Sequence, residues 1–216
     1  MKILALEGAL GAFSCCFSDG RRHIVSSTAG NDALEAGLDA VSDVLREART
    51  ELRALDRLAV GTGPGSFTGL RIAISYAKGL ALAKRLPLVG VSSYDILEPD
   101  DAQLPVLTVV AGRIGVVCAR LHTESDRRVR CGPVDEVSDE FARLIHSDEI
   151  TVVGATKDVL AALGERGLNV RTIHNRAAVP AEAVAQLATR YEPAASPHAL
   201  RPDYGELPAA RVPRFP

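Results

Sequence analysis

The chain has 216 residues, 47% of them hydrophobic, and a formal net charge of −2. That length holds one large core or two small ones, and that hydrophobic fraction excludes disorder. With charge near balance no global field draws the chain to nucleic acid or an anionic membrane, and no run approaches the ~18 apolar residues needed to cross a bilayer.

Lys2 precedes an apolar run, but Glu7 interrupts it and no small-residue cleavage pattern closes it, so no signal peptide is expected and the cytoplasm is the expected location. Residues 3–6, 12–17 and 23–26 read as three short strands, punctuated by Gly8, Gly11 and Ser18-Asp19-Gly20. A helix follows, capped by Asn31 or Asp32, with Leu34, Leu38, Val41, Leu45 and Ala48 at helical spacing. Residues 57–61 form a buried strand, a glycine-rich turn leads into a helix over 68–84, and 87–91 is the next strand. This order suits an α/β fold, a mixed sheet flanked by helices.

An acidic, proline-containing stretch at 98–105 marks a boundary. Beyond it 106–110 and 114–121 read as a hairpin pair around Gly112, with a third strand at 127–131. A helix at 137–146, a strand at 151–153, a helix at 157–166, a strand at 169–173 and a helix at 180–191 complete the regular structure. From Glu192 onward six prolines keep the tail irregular and at the surface. The chain divides as 1–100, 101–192 and a tail at 193–216, and both halves share a strand-then-helix logic.

The cysteines, Cys15, Cys16, Cys118 and Cys131, form no CxxC pair and have no nearby histidine, which argues against zinc. They read as free thiols in a reducing compartment, with Cys15 and Cys16 pointing to opposite faces of one strand. Arg127, Arg128 and Arg130 read as a solvated turn rather than an RNA site. His23, His122, His146, His174 and His198 are scattered, and nothing supports a Ser-His-Asp arrangement.

The strongest local signal is Gly61-Thr62-Gly63-Pro64-Gly65-Ser66-Phe67-Thr68-Gly69-Leu70-Arg71, joining a strand to a helix. A P-loop would need a lysine, a dinucleotide fingerprint glycine at Ser66, and a nucleophile elbow glycines at Pro64 and Thr68. Three readings remain: a tight packing turn, a partner-docking element, or an anion site at the helix N-terminus. The helix that follows places Gly69, Ala73, Ala77 and Ala81 in one row among Ile72, Ile74, Leu80 and Leu82. So apolar a helix must be buried on more than one side, under a neighbouring helix or another chain. Arg71 in its first turn opposes the helix dipole and suggests an anionic partner or plain solvation.

This turn, with Ala77-Lys78-Gly79-Leu80-Ala81 and Val89-Gly90-Val91-Ser92-Ser93, resembles the TsaB family of bacterial proteins needed for threonylcarbamoyl modification of tRNA adenosine beside the anticodon. Arg201-Pro202-Asp203-Tyr204 and Ala209-Ala210-Arg211 are similar to its closing segment. The resemblance implies a two-lobed actin/Hsp70-like (ribonuclease H-like) fold whose tail returns to the first lobe. It also implies a non-catalytic role beside the catalytic paralogue TsaD, with the ATPase TsaE joining. Docking would use a helical bundle carried here by Leu38, Val41, Leu45, Arg71, Ile74, Ala77, Lys78 and Ala81. No cofactor or bound metal is implied: the paralogue's paired-histidine metal motif falls here on Gly90-Val91-Ser92-Ser93-Tyr94-Asp95-Ile96-Leu97, which has no histidine. Where the family usually has Asp-Thr-Ser after its first strand this chain has Glu7-Gly8-Ala9, and where it has Asp-Ala-Arg this chain has Ala111-Gly112-Arg113.

An apolar helix face left open favours a homodimer when the partner is missing, and the mild acidity favours little direct tRNA contact. Two other functions compete: a small-molecule kinase or ATPase with Glu7 as magnesium ligand, and a peptidase, for which neither nucleophile nor metal is arranged.

Overall fold

The computed structural model describes residues 1–28, 33–147 and 149–205. The cap expected at Asn31 or Asp32, the side chain of Leu34 and the closing Ala209-Ala210-Arg211 lie outside the described residues.

Short, nearly continuous buried runs bounded by glycine-containing turns build the first sheet, which is covered on both faces. β1 (Ile3–Glu7), β2 (Ser14–Ser18) and β3 (His23–Ser27) form an antiparallel meander, and β4 (Arg57–Gly63) and β5 (Leu88–Ser92) extend it in parallel beyond β1. The order is β3-β2-β1-β4-β5. The second sheet repeats the plan. β6 (Val106–Ala111), β7 (Val116–His122) and β8 (Arg127–Pro133) meander, then β9 (Glu149–Val153) and β10 (Asn169–Ile173) add in parallel beyond β6. Its order, β10-β9-β6-β7-β8, makes the two halves topological copies, the arrangement of the actin/Hsp70-like fold.

Helices occupy matching places: α1 (Ala33–Glu47), α2 (Phe67–Lys84) and α3 (Ser93–Leu97) in the first half, α4 (Val134–Leu144), α5 (Lys157–Glu165) and α6 (Pro180–Leu187) in the second. α3 is too short for its periodicity to show in the sequence. It starts directly off β5, where the Ser92 side chain accepts the Tyr94 N–H at 3.2 Å. Among the described residues no helix is long and apolar enough to cross a membrane.

Each face of the first sheet has its own cover. Leu4, Leu6, Cys15, Phe17, Leu58 and Val60 pack under α1 and α2, while Ile3, Ala5, Cys16, Ala59, Val89 and Val91 pack under α6. Cys15 and Cys16 thus point to opposite faces. α6 follows the second sheet in sequence yet lies on β1 and β2, its Ala181, Ala183, Ala185 and Ala188 permitting close approach. The following chain stays with the first lobe: the Ala194 N–H donates to the Leu88 carbonyl, and Leu200 is buried in the first core rather than at the surface. In the second sheet Leu107, Val109, Val117, Leu121, Ile150 and Val152 pack under α4 and α5. Val106, Val110, Cys118 and Val153 face Tyr94 and Leu97 of α3.

Candidate functional site

The glycine-rich turn is a junction of three backbones. The Ser66 N–H donates to the Ala9 carbonyl at 2.7 Å, and the Asp203 N–H donates to the Thr62 carbonyl at 2.7 Å. A side chain on Gly63 would strike the Asp203 carbonyl, one on Gly65 the Ala9 carbonyl, and one on Gly69 the Gly8 carbonyl. Gly63 and Gly65 also have positive φ, which their lack of Cβ allows. Ser66 caps α2, its side chain accepting the Gly69 N–H at 3.3 Å. The Ser66 and Gly69 amides are therefore engaged inside the chain, which weighs against the anion reading and for the packing one. Gly61 sits against the Glu7 side chain, Pro64 is buried, and Phe67 and Thr68 project outward.

Glu7 is fully buried. Its carboxylate accepts the Ala9 N–H at 2.6 Å and the Leu10 N–H at 3.1 Å, holding the β1–β2 turn in place. Burial pushes its pKa up to about 7, against the lowering effect of those backbone bonds. Both oxygens accept from the chain's own backbone, an engagement the kinase reading did not call for.

The residues expected to dock a partner divide sharply. Val41, Leu45, Ile74, Ala77 and Ala81 are buried in the chain's own first core, so none of these five presents a face to another protein. The second side that α2 required is filled from within: Phe13 meets Tyr76 edge-to-face, centroids 5.9 Å apart, over Gly37 of α1. Leu38, Arg71 and Lys78 do reach the surface, Leu38 being 47% exposed and Lys78 partly so. The exposed positions on α2 recur at helical spacing, Arg71, Ser75, Gly79 and Leu82, with Leu82 46% exposed. α1 presents Leu38 and Ser42 among Asp39, Asp43 and Glu47. Selection of apolar positions by sequence picked out the core and missed Leu82 and the small residues around it.

At the start of α2, Phe67 is 55% exposed, its ring centroid 4.9 Å from that of Tyr204, and the Arg71 guanidinium lies 5.1 Å from it. Phe67 and Tyr204 stand at a cleft of about 900 Å3 between the lobes. The β1–β2 turn at Ala9–Gly11 and the β6–β7 turn at Ala111–Arg113 wall this cleft, and Arg113 is the charged residue in its described lining.

Below the cleft a buried ionic cluster joins the lobes. Arg120 of β7 pairs with Asp95 of α3 and with Glu98 at 2.9 Å. Glu98 also receives the Thr108 hydroxyl at 2.8 Å and lies 2.7 Å from the His122 ring nitrogen. Tyr191 donates to Asp95 at 2.9 Å. Burial pushes the Glu98 pKa up, but the bonds from His122, Arg120 and Thr108 outweigh it and hold the carboxyl below its usual range. The segment where the resemblance places the paralogue's metal motif thus carries an interlobe clamp. Among the described residues no three His, Cys, Asp or Glu side chains gather as a metal site.

The cysteine reading needs correction for one pair. Cys118 and Cys131 are joined in a disulfide, while Cys15 and Cys16 are free and buried. The hairpin turn between His122 and Arg127 fixes a register that sets Cys118 directly opposite Cys131. The signal was present in the spacing of the two strands about that turn.

Comparison with known proteins places this geometry. A family model described as TsaD, tRNA N6-adenosine threonylcarbamoyltransferase, matches residues 24–201. The tRNA threonylcarbamoyladenosine biosynthesis protein TsaB of Escherichia coli (strain K12) is 40% identical over 94 residues, 43% of this chain and 41% of that protein. The tRNA N6-adenosine threonylcarbamoyltransferase of Gluconobacter oxydans (strain 621H) is 34% identical over 151 residues, 64% of this chain and 41% of that protein. Each match thus spans about two fifths of the curated relative's length. The solved structure of YeaZ from Pseudomonas aeruginosa superposes with TM-score 0.72 at 24% identity, covering 94% of this chain and 99% of that one. The chain therefore belongs to the family of that model, TsaD, tRNA N6-adenosine threonylcarbamoyltransferase, and is similar to TsaB over the 94 residues given above.

Proposed function

We propose that this chain is a non-catalytic partner of a TsaD-type catalytic subunit in tRNA threonylcarbamoyladenosine synthesis, working in the cytoplasm, with a TsaE-type ATPase joining the assembly. The observation that carries this reading is the outward stripe of α1 and α2. Exposed Leu38 and Leu82 stand on helices whose other outward positions include the small residues Ser42, Ser75 and Gly79, a surface that lets a facing helix come close. The non-catalytic part rests on the engagement of Glu7, Asp95 and Glu98 within the chain. With a net charge of −2, the tRNA is handled mainly by the partner.

Alone, the same stripe favours a homodimer. α1 presents Asp39, Asp43 and Glu47, with Arg46 paired to Asp43, while α2 presents Arg71, Lys78 and Lys84, so a two-fold pairing of α1 on α2 sets a net acidic helix against a basic one. The test is to mix the chain with its TsaD-type subunit at micromolar concentration and measure hydrodynamic mass. A one-to-one or larger complex is expected, weakened at least about tenfold by Leu82→Glu, since a charge facing an apolar contact costs more than 1.4 kcal/mol. No complex, or one indifferent to Leu82→Glu and Leu38→Glu, refutes this docking face. Magnesium-dependent ATP hydrolysis by the isolated chain, lost in Glu7→Gln, would return the kinase reading.

A further inference from the structure

The disulfide stands where residues 200–205 bridge the two lobes. Leu200 is buried in the first core, its side chain packed against Gly90. Asp203 donates its N–H to Thr62, Tyr204 lies against Phe67, and Gly205 reaches across to the second lobe. There a Cβ on Gly205 would strike the sulfurs of both Cys118 and Cys131, with Pro64 of the first lobe on its other side. Gly205 also has positive φ. The segment 200–205 is thus a strap that crosses from the first core to the two sulfurs.

We propose that Cys118–Cys131 is a reversible thiol–disulfide exchange site whose oxidation state decides whether this strap is seated over the mouth of the interlobe cleft. Two bonded sulfurs lie well inside van der Waals contact, whereas two thiols cannot. Breaking the bond forces the sulfurs apart, and Gly205 occupies the space into which they would swing. The natural reductant is a dithiol. One of its sulfurs, as thiolate, attacks a sulfur of the pair and displaces the other cysteine as thiolate, leaving a mixed disulfide. Its second thiol then attacks that mixed disulfide and releases the remaining cysteine. Two electrons pass to the pair, the dithiol's two protons end on the cysteines, and the dithiol leaves as its own disulfide.

Coupling runs both ways: the seated strap shields the sulfurs from attack, and the bonded sulfurs leave room for the strap. Cys15 and Cys16 take no part, because burial pushes both thiols up to about 12. Unseating the strap removes Tyr204 from Phe67 and from the cleft lining, which widens the mouth and frees the Phe67 face beside Arg71.

Hydrogen exchange at the Asp203 amide, measured on the full chain in oxidised and in reduced dithiothreitol, tests the switch. Exchange is expected to quicken about tenfold or more on reduction, because the bond to Thr62 opens locally. Gly205→Ala is expected to show the fast rate with the disulfide intact, and Cys118→Ala with Cys131→Ala the slow rate with or without reductant. Equal rates in the two states, with alkylation after unfolding confirming that the pair has changed from bonded to reduced, overturn the proposal. So does a pair that stays unbonded in oxidised dithiothreitol. Should the double variant fail to fold, the parent chain and Gly205→Ala still decide the matter. None of these readouts involves the catalytic partner, so they stand or fall apart from the docking reading.

Discussion

Glu7 is where a single side chain sets a property of the whole chain. A carboxylate buried this completely is poorly solvated when charged, and two backbone N–H groups only partly compensate. Its folded pKa, about 7, stands above the ordinary value of 4.5. The folded state therefore holds the proton more tightly than the unfolded state, so stability falls as pH rises from the lower value to the higher and is level beyond it. At 1.36 kcal/mol for each unit, the fall is roughly 3 kcal/mol. Glu7→Gln removes the charge but leaves one acceptor oxygen for two donors, a loss of about 1 kcal/mol. The variant is expected to be less stable than the parent at pH 5 and equal to it or more stable at pH 8. Urea midpoints across that range read this directly, and parallel curves would show that Glu7 does not titrate there.

At the scale of the element, α2 shows what periodicity can and cannot say. Its small residues, its few charged positions and its glycine-bounded entry were all legible, and so were its boundaries to within a residue. Which side faces inward was not. A stripe of apolar residues marks burial without naming the cover, and the cover is Phe13, α1 and the Gly8 carbonyl, all brought in by tertiary contact. Core residues such as Ile74 and Ala77 therefore passed for docking residues, while Ser75 and Gly79, which do reach solvent, carry no hydrophobic signal. α3 escaped for another reason, since five residues are too few to show a helical period. The entry to α2 gives a clean test. Gly69 and Gly8 approach backbone to backbone, and a carbonyl cannot rotate away as a side chain can. Gly69→Ala should cost about 1–3 kcal/mol, the scale of overpacking, despite the higher helix propensity of alanine. Ser75→Ala, on the outward face of the same helix, should be neutral within about 0.5 kcal/mol. Thermal denaturation of both variants separates the two cases, and equal midpoints would mean that the 8–69 approach is not a real constraint.

For the molecule as a whole, the duplicated strand order was visible in outline from the alternation of elements, but the crossing connections were not. Nothing local announces that α6 leaves the second sheet to cover the first, and the return of the chain to Leu88 and Thr62 was expected only through the family resemblance. The same holds for the clamp, whose members span residues 95–191 and meet only once both lobes are in place. Arg120 is its centre, with buried Glu98 and half-buried Asp95 beside it. Replacing Arg120 by Met keeps most of the volume but leaves Glu98 a buried anion, with Asp95 half-buried beside it. The expected cost is about 3–5 kcal/mol at neutral pH, the penalty of an uncompensated buried charge rather than the net worth of the pair. Because Glu98 in the parent is held below its usual range, its stabilisation is present above the unfolded pKa and lost as pH falls through the folded one. In Arg120→Met that sign reverses at Glu98, whose buried carboxylate has lost the guanidinium. The parent should therefore weaken on acidification below the ordinary carboxylate range while the variant strengthens. Adding Asp95→Asn and Glu98→Gln to Arg120→Met should restore much of the loss. Hydrogen exchange at the Arg176 amide, which donates to the Leu97 carbonyl across the lobe junction at 2.9 Å, distinguishes a loosened clamp from a general loss of stability. In Arg120→Met this amide should lose protection before the amides of β1 and β4 do, and a uniform loss across both sheets would mean that the cluster supports the fold without linking its halves.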